Sequence, residues 1–155
     1  MKIKNLKLLV SRLEAQLDSP TAARFNMAHF GSAFTKNMIG VLQDFTPVCK
    51  TQACLAGETV LATGSGTIVA ASGGIVLGTD TFTIPIAIRR KATSDLGLTE
   101  PQAERLFYFR NWTMRKKYGW PDQFEQAYEK AKTPQGRLYV AIRRVEHFIH
   151  TNGTE

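Results

Sequence analysis

Thr51-Gln-Ala-Cys-Leu-Ala-Gly-Glu-Thr-Val-Leu-Ala-Thr-Gly-Ser-Gly-Thr-Ile-Val-Ala-Ala71, followed by Ser72-Gly-Gly74 and Ile75-Val-Leu77, contains the change of period that decides the fold. Its first half is a run of small and aliphatic residues behind Thr51, whose side-chain oxygen can accept from the backbone of a first turn. It predicts a helix over 52–62. Gly64-Ser-Gly66 stops that helix. The residues that follow are rich in β-branched side chains and glycine. They predict two strands, 67–71 and 75–77, around a tight turn at 72–74 where glycine supplies positive φ. Thr81-Phe-Thr-Ile84 reads as a third short strand.

Helices flank this segment on both sides. Ile3, Leu6, Leu9, Val10, Leu13 and Leu17 repeat on one helical face, and Ser19-Pro20 ends or follows that helix. Between Phe25 and Pro47 the apolar spacing is interrupted by Gly31 and Gly40, which predicts a loop and then a short helix over 32–44. On the C-terminal side, Pro85 suits a first helical turn behind Thr83, with helix over 86–96. Thr99-Glu-Pro-Gln102 is a capping box and starts a helix through about Arg110. Trp120-Pro121 starts another, with Phe124, Ala127, Tyr128 and Ala131 as its apolar stripe. Thr133-Pro134 caps a last helix whose stripe is Leu138, Ala141, Ile142, Val145, Phe148 and Ile149, and 151–155 is expected to fray. The expected fold class is α+β: one mostly helical domain over 1–155 with a small inserted antiparallel β-hairpin sheet.

The chain has 155 residues, 43% hydrophobic and 21% charged, enough for one domain with its own core. Met1 to Val10 is short and lysine-bearing and continues as an amphipathic helix, unlike a secretory signal. The stretch 68–88 is apolar but broken by glycines, threonines, Asp80 and Pro85, so no membrane span is expected. Two cysteines with no export signal point to a reducing, cytoplasmic setting and unlinked thiols. The formal net charge of +7 is the strongest clue to partners, because a basic surface attracts nucleic acid, an anionic membrane or an acidic protein.

Cys49-Lys-Thr-Gln-Ala-Cys-Leu-Ala-Gly57 resembles the motif of a family of small uncharacterised bacteriophage and bacterial proteins, Cys-Gly-Thr-x-x-Cys-(Leu/Ile)-Ala-Gly. The further marks of that family look like Phe25-Asn-Met27, Leu96-Gly-Leu-Thr-Glu-Pro-Gln-Ala-Glu-Arg-Leu-Phe107, Trp120-Pro121 and a final helix over 137–149. The resemblance spans most of 25–149. Lys50 departs from the family's usual glycine, and Glu58 stands where an aromatic residue or histidine is common. The resemblance implies an accessory protein of phage or mobile-element type, and it implies no particular activity.

Chemistry-bearing constellations are few. Cys54 falls in the predicted first helical turn, where unpaired N–H groups stabilise a thiolate, and His29 is the one histidine before it that could act as base. Cys54, Gly57 and Leu61 also share a helical face, and a small thiol packed there ranks above a nucleophile. Cys49, Cys54 and His29, or the cysteines with His147 and His150, offer donors for zinc. The wide cysteine spacing and the neighbouring Arg143 and Arg144 argue against a metal. Three basic clusters are candidates for nucleic acid or a partner: Arg89, Arg90 and Lys91; Arg110, Trp112, Arg115, Lys116 and Lys117; and Arg137, Arg143 and Arg144, expected with His147 on the solvent side of the last helix. Solvated lysines around core tryptophans are the plainer account of the second cluster. Glycine pairs lack the Lys-Ser/Thr of a phosphate loop, and no pair of carboxylates suggests acid–base work. The reading is a basic, non-enzymatic binding protein with no cofactor, contacting a host protein or nucleic acid. A cysteine-dependent enzyme and a zinc-stabilised module are the alternatives.

Overall fold

The computed structural model describes residues 1–18, 54–68, 75–78, 85–108 and 119–155. Within them the chain is mostly helical. In chain order the elements are α1 (Ile3–Leu17), α2 (Leu55–Ala62), β1 (Gly66–Ile68), β2 (Ile75–Leu77), α3 (Pro85–Leu96), α4 (Glu100–Phe107), α5 (Asp122–Lys130) and α6 (Pro134–His150). The helix expected over 32–44, the turn at 72–74 and the strand expected over 81–84 lie outside the described residues.

Helix α2 packs against α1, α3, α4 and β1, while α6 packs on α1 and α5. Six consecutive residues, Leu55 to Val60, are buried. A helix buried all round needs small or aliphatic side chains and internal partners for its polar ones. Ala56 and Gly57 give neighbours room, and Thr59 donates to its own helix at Leu55 O (2.7 Å). Glu58 accepts from Arg12 Nε at 2.6 Å and Gln16 Nε2 at 2.8 Å, both on α1. One expectation is corrected here. The helix starts at Leu55 with Cys54 as N-cap, three residues later than its predicted start. Thr51, expected as the cap, lies outside the described residues.

The end of α2 is a Schellman motif. Gly64 takes φ +70°, Gly64 N–H donates to Leu61 O (3.3 Å) and Ser65 N–H to Val60 O (2.9 Å). Gly66 then runs directly under the helix. A Cβ there would lie 2.9 Å from Val60 Cγ2, so only glycine lets β1 approach this closely. β1 and β2 pair antiparallel in the register Gly66–Leu77, Thr67–Val76 and Ile68–Ile75.

On α1, Leu6, Leu9 and Leu13 are buried and Val10 and Leu17 half-buried, as the period predicts, whereas Ile3 faces outward. The helix N-terminus abuts the C-terminus of α3, where unpaired carbonyls need donors. Lys2 N–H donates to Leu96 O (2.6 Å) and Asn5 Nδ2 to Asp95 O (2.6 Å). The Asp95 carboxylate accepts from Thr63 (3.0 Å), Ser65 and Lys91, and so ties α3 to the end of α2. Partial burial works to raise the Asp95 pKa, but these three donors outweigh it and hold the group below its ordinary value.

The capping box of α4 forms as predicted: Gln102 N–H donates to Thr99 Oγ1 and Thr99 N–H to Gln102 Oε1. The helix ends at Phe107, short of the expected Arg110, because Tyr108 turns extended. There Tyr108 O accepts from Trp120 N–H (3.0 Å), while the buried Trp120 indole donates to Leu106 O (2.8 Å) and meets Tyr128 edge-on at 5.8 Å. Trp120 is therefore a core anchor. On α5 the expected stripe is rotated: Tyr128 and Glu125 are buried, Phe124 is half-buried and Ala127 is exposed. Thr133 caps α6, accepting from Gly136 N–H (3.0 Å), and Leu138, Ala141, Ile142, Val145 and Phe148 are buried as predicted.

The largest departure concerns Arg144 and the chain end. Arg144, expected on the solvent side, is fully buried. Its guanidinium donates to Arg105 O on α4 (2.9 Å) and pairs with the Glu155 carboxylate, and it lies over the rings of Phe124 (5.7 Å) and Phe148 (5.4 Å). Burial pulls its pKa below the ordinary arginine value, and Glu155 pushes it back up. Residues 151–155 are correspondingly folded back and not frayed. Gln102 donates to Asn152 O (3.1 Å) and Arg105 to Gly153 O (2.8 Å). Gly153 has φ +65°, and a Cβ there would sit 2.7 Å from Phe148 Cζ. Replacing Glu155 with alanine should cost about 3 kcal/mol, because it strands a buried charge. In a thermal melt that is a fall of roughly 6–12 °C. A melt unchanged from wild type would contradict this and favour a frayed tail.

Candidate interaction surface

Cys54, the best candidate for covalent chemistry, sits at the N-cap of α2, half-buried and packed against the core. Burial raises the Tyr108 pKa first; Arg89 opposes the rise, and Glu100, Glu104 and Cys54 add to it. Arg89 stacks over the Tyr108 ring at 5.3 Å and pairs with Glu100, with its Nε and Nη1 buried and without a hydrogen-bond partner among the described residues. Arg89 is thereby fixed inside the α3–α4 contact and is not part of an open basic face. His29 and Cys49, named with Cys54 as a base and as metal ligands, lie outside the described residues. Among the described residues no three His, Cys, Asp or Glu side chains gather as a metal cage. His147 Nε2 is 2.7 Å from Glu155 Oε2, an ion-pair distance off the hydrogen-bonding direction, and His150 points to solvent.

Among the described residues, the basic positions of the first and third clusters are in part committed within the fold. Lys91 is held by Asp95 on its own helix, and Arg90 is exposed. On α6, Arg137 is half-buried, donating to Ala131 O (3.1 Å) and covering the Tyr128 ring, and Arg143 is exposed but paired with Glu146 at 3.0 Å. Arg144 is interior. Arg110, Trp112, Arg115, Lys116 and Lys117 lie outside the described residues.

A surface that the sequence reading passed over is the outer face of α1. Lys4, Leu8 and Ser11 form one i, i+4, i+7 row there, flanked by Ile3 and Lys7. Among the described residues, these five side chains line an open groove of about 450 Å³. Ile3 and Leu8 are 44% and 43% exposed, two of the four exposed large hydrophobic residues among the described ones. Lys4 and Lys7 form no ion pair among the described residues, whereas Arg12, one turn further on, is committed to Glu58. The signal was present in the sequence. Leu8 falls off the Leu6/Leu9/Leu13 stripe, next to Lys7 and one turn after Lys4, a place where an amphipathic helix normally carries a polar side chain.

No protein-family model matches the chain, and no curated protein or solved structure is significantly similar to it. Among the described residues no helix is long and apolar enough to cross a membrane.

The packed position of Cys54 has a direct readout. In a Cys49→Ser background, alkylation of Cys54 in native protein at neutral pH should run at least about tenfold slower than in urea, since the thiol is partly enclosed and reactivity follows exposure and thiolate fraction. Native labelling as fast as in urea would show an accessible, activated thiol.

Proposed function

We propose that the protein is a small, basic, non-enzymatic binding protein, plausible as a phage or mobile-element accessory factor, that contacts a host protein or nucleic acid through exposed cations. The observation that carries this reading is the formal net charge of +7 together with cations that stand exposed on the surface. Lys4, Lys7 and Arg90 are exposed and form no ion pair among the described residues. Unmatched surface cations are what a partner of opposite charge can use, because their field is not cancelled internally. The sequence adds Arg110, Arg115, Lys116 and Lys117 to the same sign, around Trp112. The reading keeps the α+β class, taking β1 and β2 as one hairpin inserted between α2 and α3; their antiparallel register supports it.

The test is titration with heparin and with a DNA duplex across a series of salt concentrations. Affinity should fall steeply with salt, since each neutralised anionic group releases condensed counterions. A Lys4→Glu, Lys7→Glu, Arg90→Glu variant should bind at least about tenfold more weakly, a loss of roughly 1.4 kcal/mol. Its unfolding free energy should stay within about half a kcal/mol per site, because the three side chains are exposed. Binding that ignores both salt and these substitutions would remove the basic surface from the account.

A further inference from the structure

We infer that the outer face of α1 is the docking site for an acidic, amphipathic helical segment of a partner protein. The inference rests on the basic-surface reading and narrows it to one place and one partner chemistry.

Three features of the face point to that occupant. The first is its mixed character: Ile3 and Leu8 lie exposed within the same groove as Lys4 and Lys7. A phosphate backbone engages lysines but gains nothing from aliphatic side chains beside them. A helix with leucines along one stripe and glutamates on its flanks matches both. The second is the distribution of charge along α1. Lys2, Lys4 and Lys7 occupy its N-terminal half, and Glu14 and Asp18 are exposed beyond it. The positive end of the helix dipole adds to the lysines. An acidic partner is therefore drawn to one half of the face, and its direction is set. The third is rigidity. The inner face of α1 is committed to Leu6, Leu9 and Leu13 in the core, Arg12 and Gln16 bind Glu58, and Lys2 and Asn5 bind the end of α3. The groove is thus presented by a helix held at both ends, and docking requires little reordering of the protein.

The experiment uses the full chain and three probes: a helix-favouring peptide with a leucine stripe flanked by glutamates, polyglutamate of matched charge, and a short DNA duplex. Binding is read by fluorescence anisotropy, and circular dichroism checks that each variant is folded. The peptide should bind. Leu8→Gln, and separately Ile3→Gln, should each weaken it about tenfold, and Lys4→Glu with Lys7→Glu should abolish it. Polyglutamate should respond to the lysine changes and not to Leu8→Gln. Peptide affinity untouched by Leu8→Gln and Ile3→Gln overturns the inference. DNA binding that is lost in the lysine variant, with no peptide binding, also overturns it while leaving the basic-surface reading intact. Binding of none of the probes overturns both.

Discussion

Glu58 lies on a helix buried over six consecutive residues, and its carboxylate is housed there only because Arg12 and Gln16 of α1 reach it at 2.6 and 2.8 Å. Burial raises the Glu58 pKa; the Arg12 charge and the two hydrogen bonds lower it without cancelling the rise. A carboxyl whose folded pKa is raised contributes stability that is complete below its unfolded pKa and is lost as pH rises through the folded value. At neutral pH the ion pair therefore costs more than a neutral group would, and what it provides is position: it sets the rotation and register at which α1 sits on α2.

That rotation has consequences on both sides of α1. Inward, it brings Leu6, Leu9 and Leu13 into the core and places Lys2 and Asn5 over the carbonyls at the end of α3. Outward, it leaves Lys4, Lys7, Leu8 and Ser11 on the surface with Ile3 beside them. The same helix is thus a structural strut and the most distinctive surface among the described residues. Arg144 does for the C-terminal half what Glu58 does for the N-terminal half, with the polarity reversed. A buried cation gathers the Arg105 carbonyl of α4, the aromatic faces of Phe124 and Phe148, and the carboxylate of Glu155.

Local rules were legible where a residue's role is set by its neighbours in the chain. The Thr99 capping box, the Thr133 cap, the stop at Gly64 and the apolar stripe of α6 all follow from side chains within one turn of each other. Roles set by distant partners were not. Arg144 lies three residues after Ala141 and four before Phe148, on the buried stripe by spacing, yet a charged residue is read as exposed unless its partner is known. That partner, Glu155, sits in a segment whose composition predicts fraying. The burial of Glu58 was hidden for the same reason, since Arg12 and Gln16 are more than forty residues away. The outer face of α1 was missed for a different reason: three lysines were weighed as a possible leader and not as the rim of an apolar groove.

The central claim is that Arg12 and Glu58 are energetically one unit, and a double-mutant cycle by urea unfolding at neutral pH measures it most directly. Arg12→Met alone strands the carboxylate and should lower the unfolding free energy by about 3 kcal/mol. Adding Glu58→Gln should recover most of that loss, and the penalty of Arg12→Met should shrink at acidic pH as Glu58 takes up its proton. Additive effects of the two changes, or an Arg12→Met protein within about half a kcal/mol of wild type, would contradict the account.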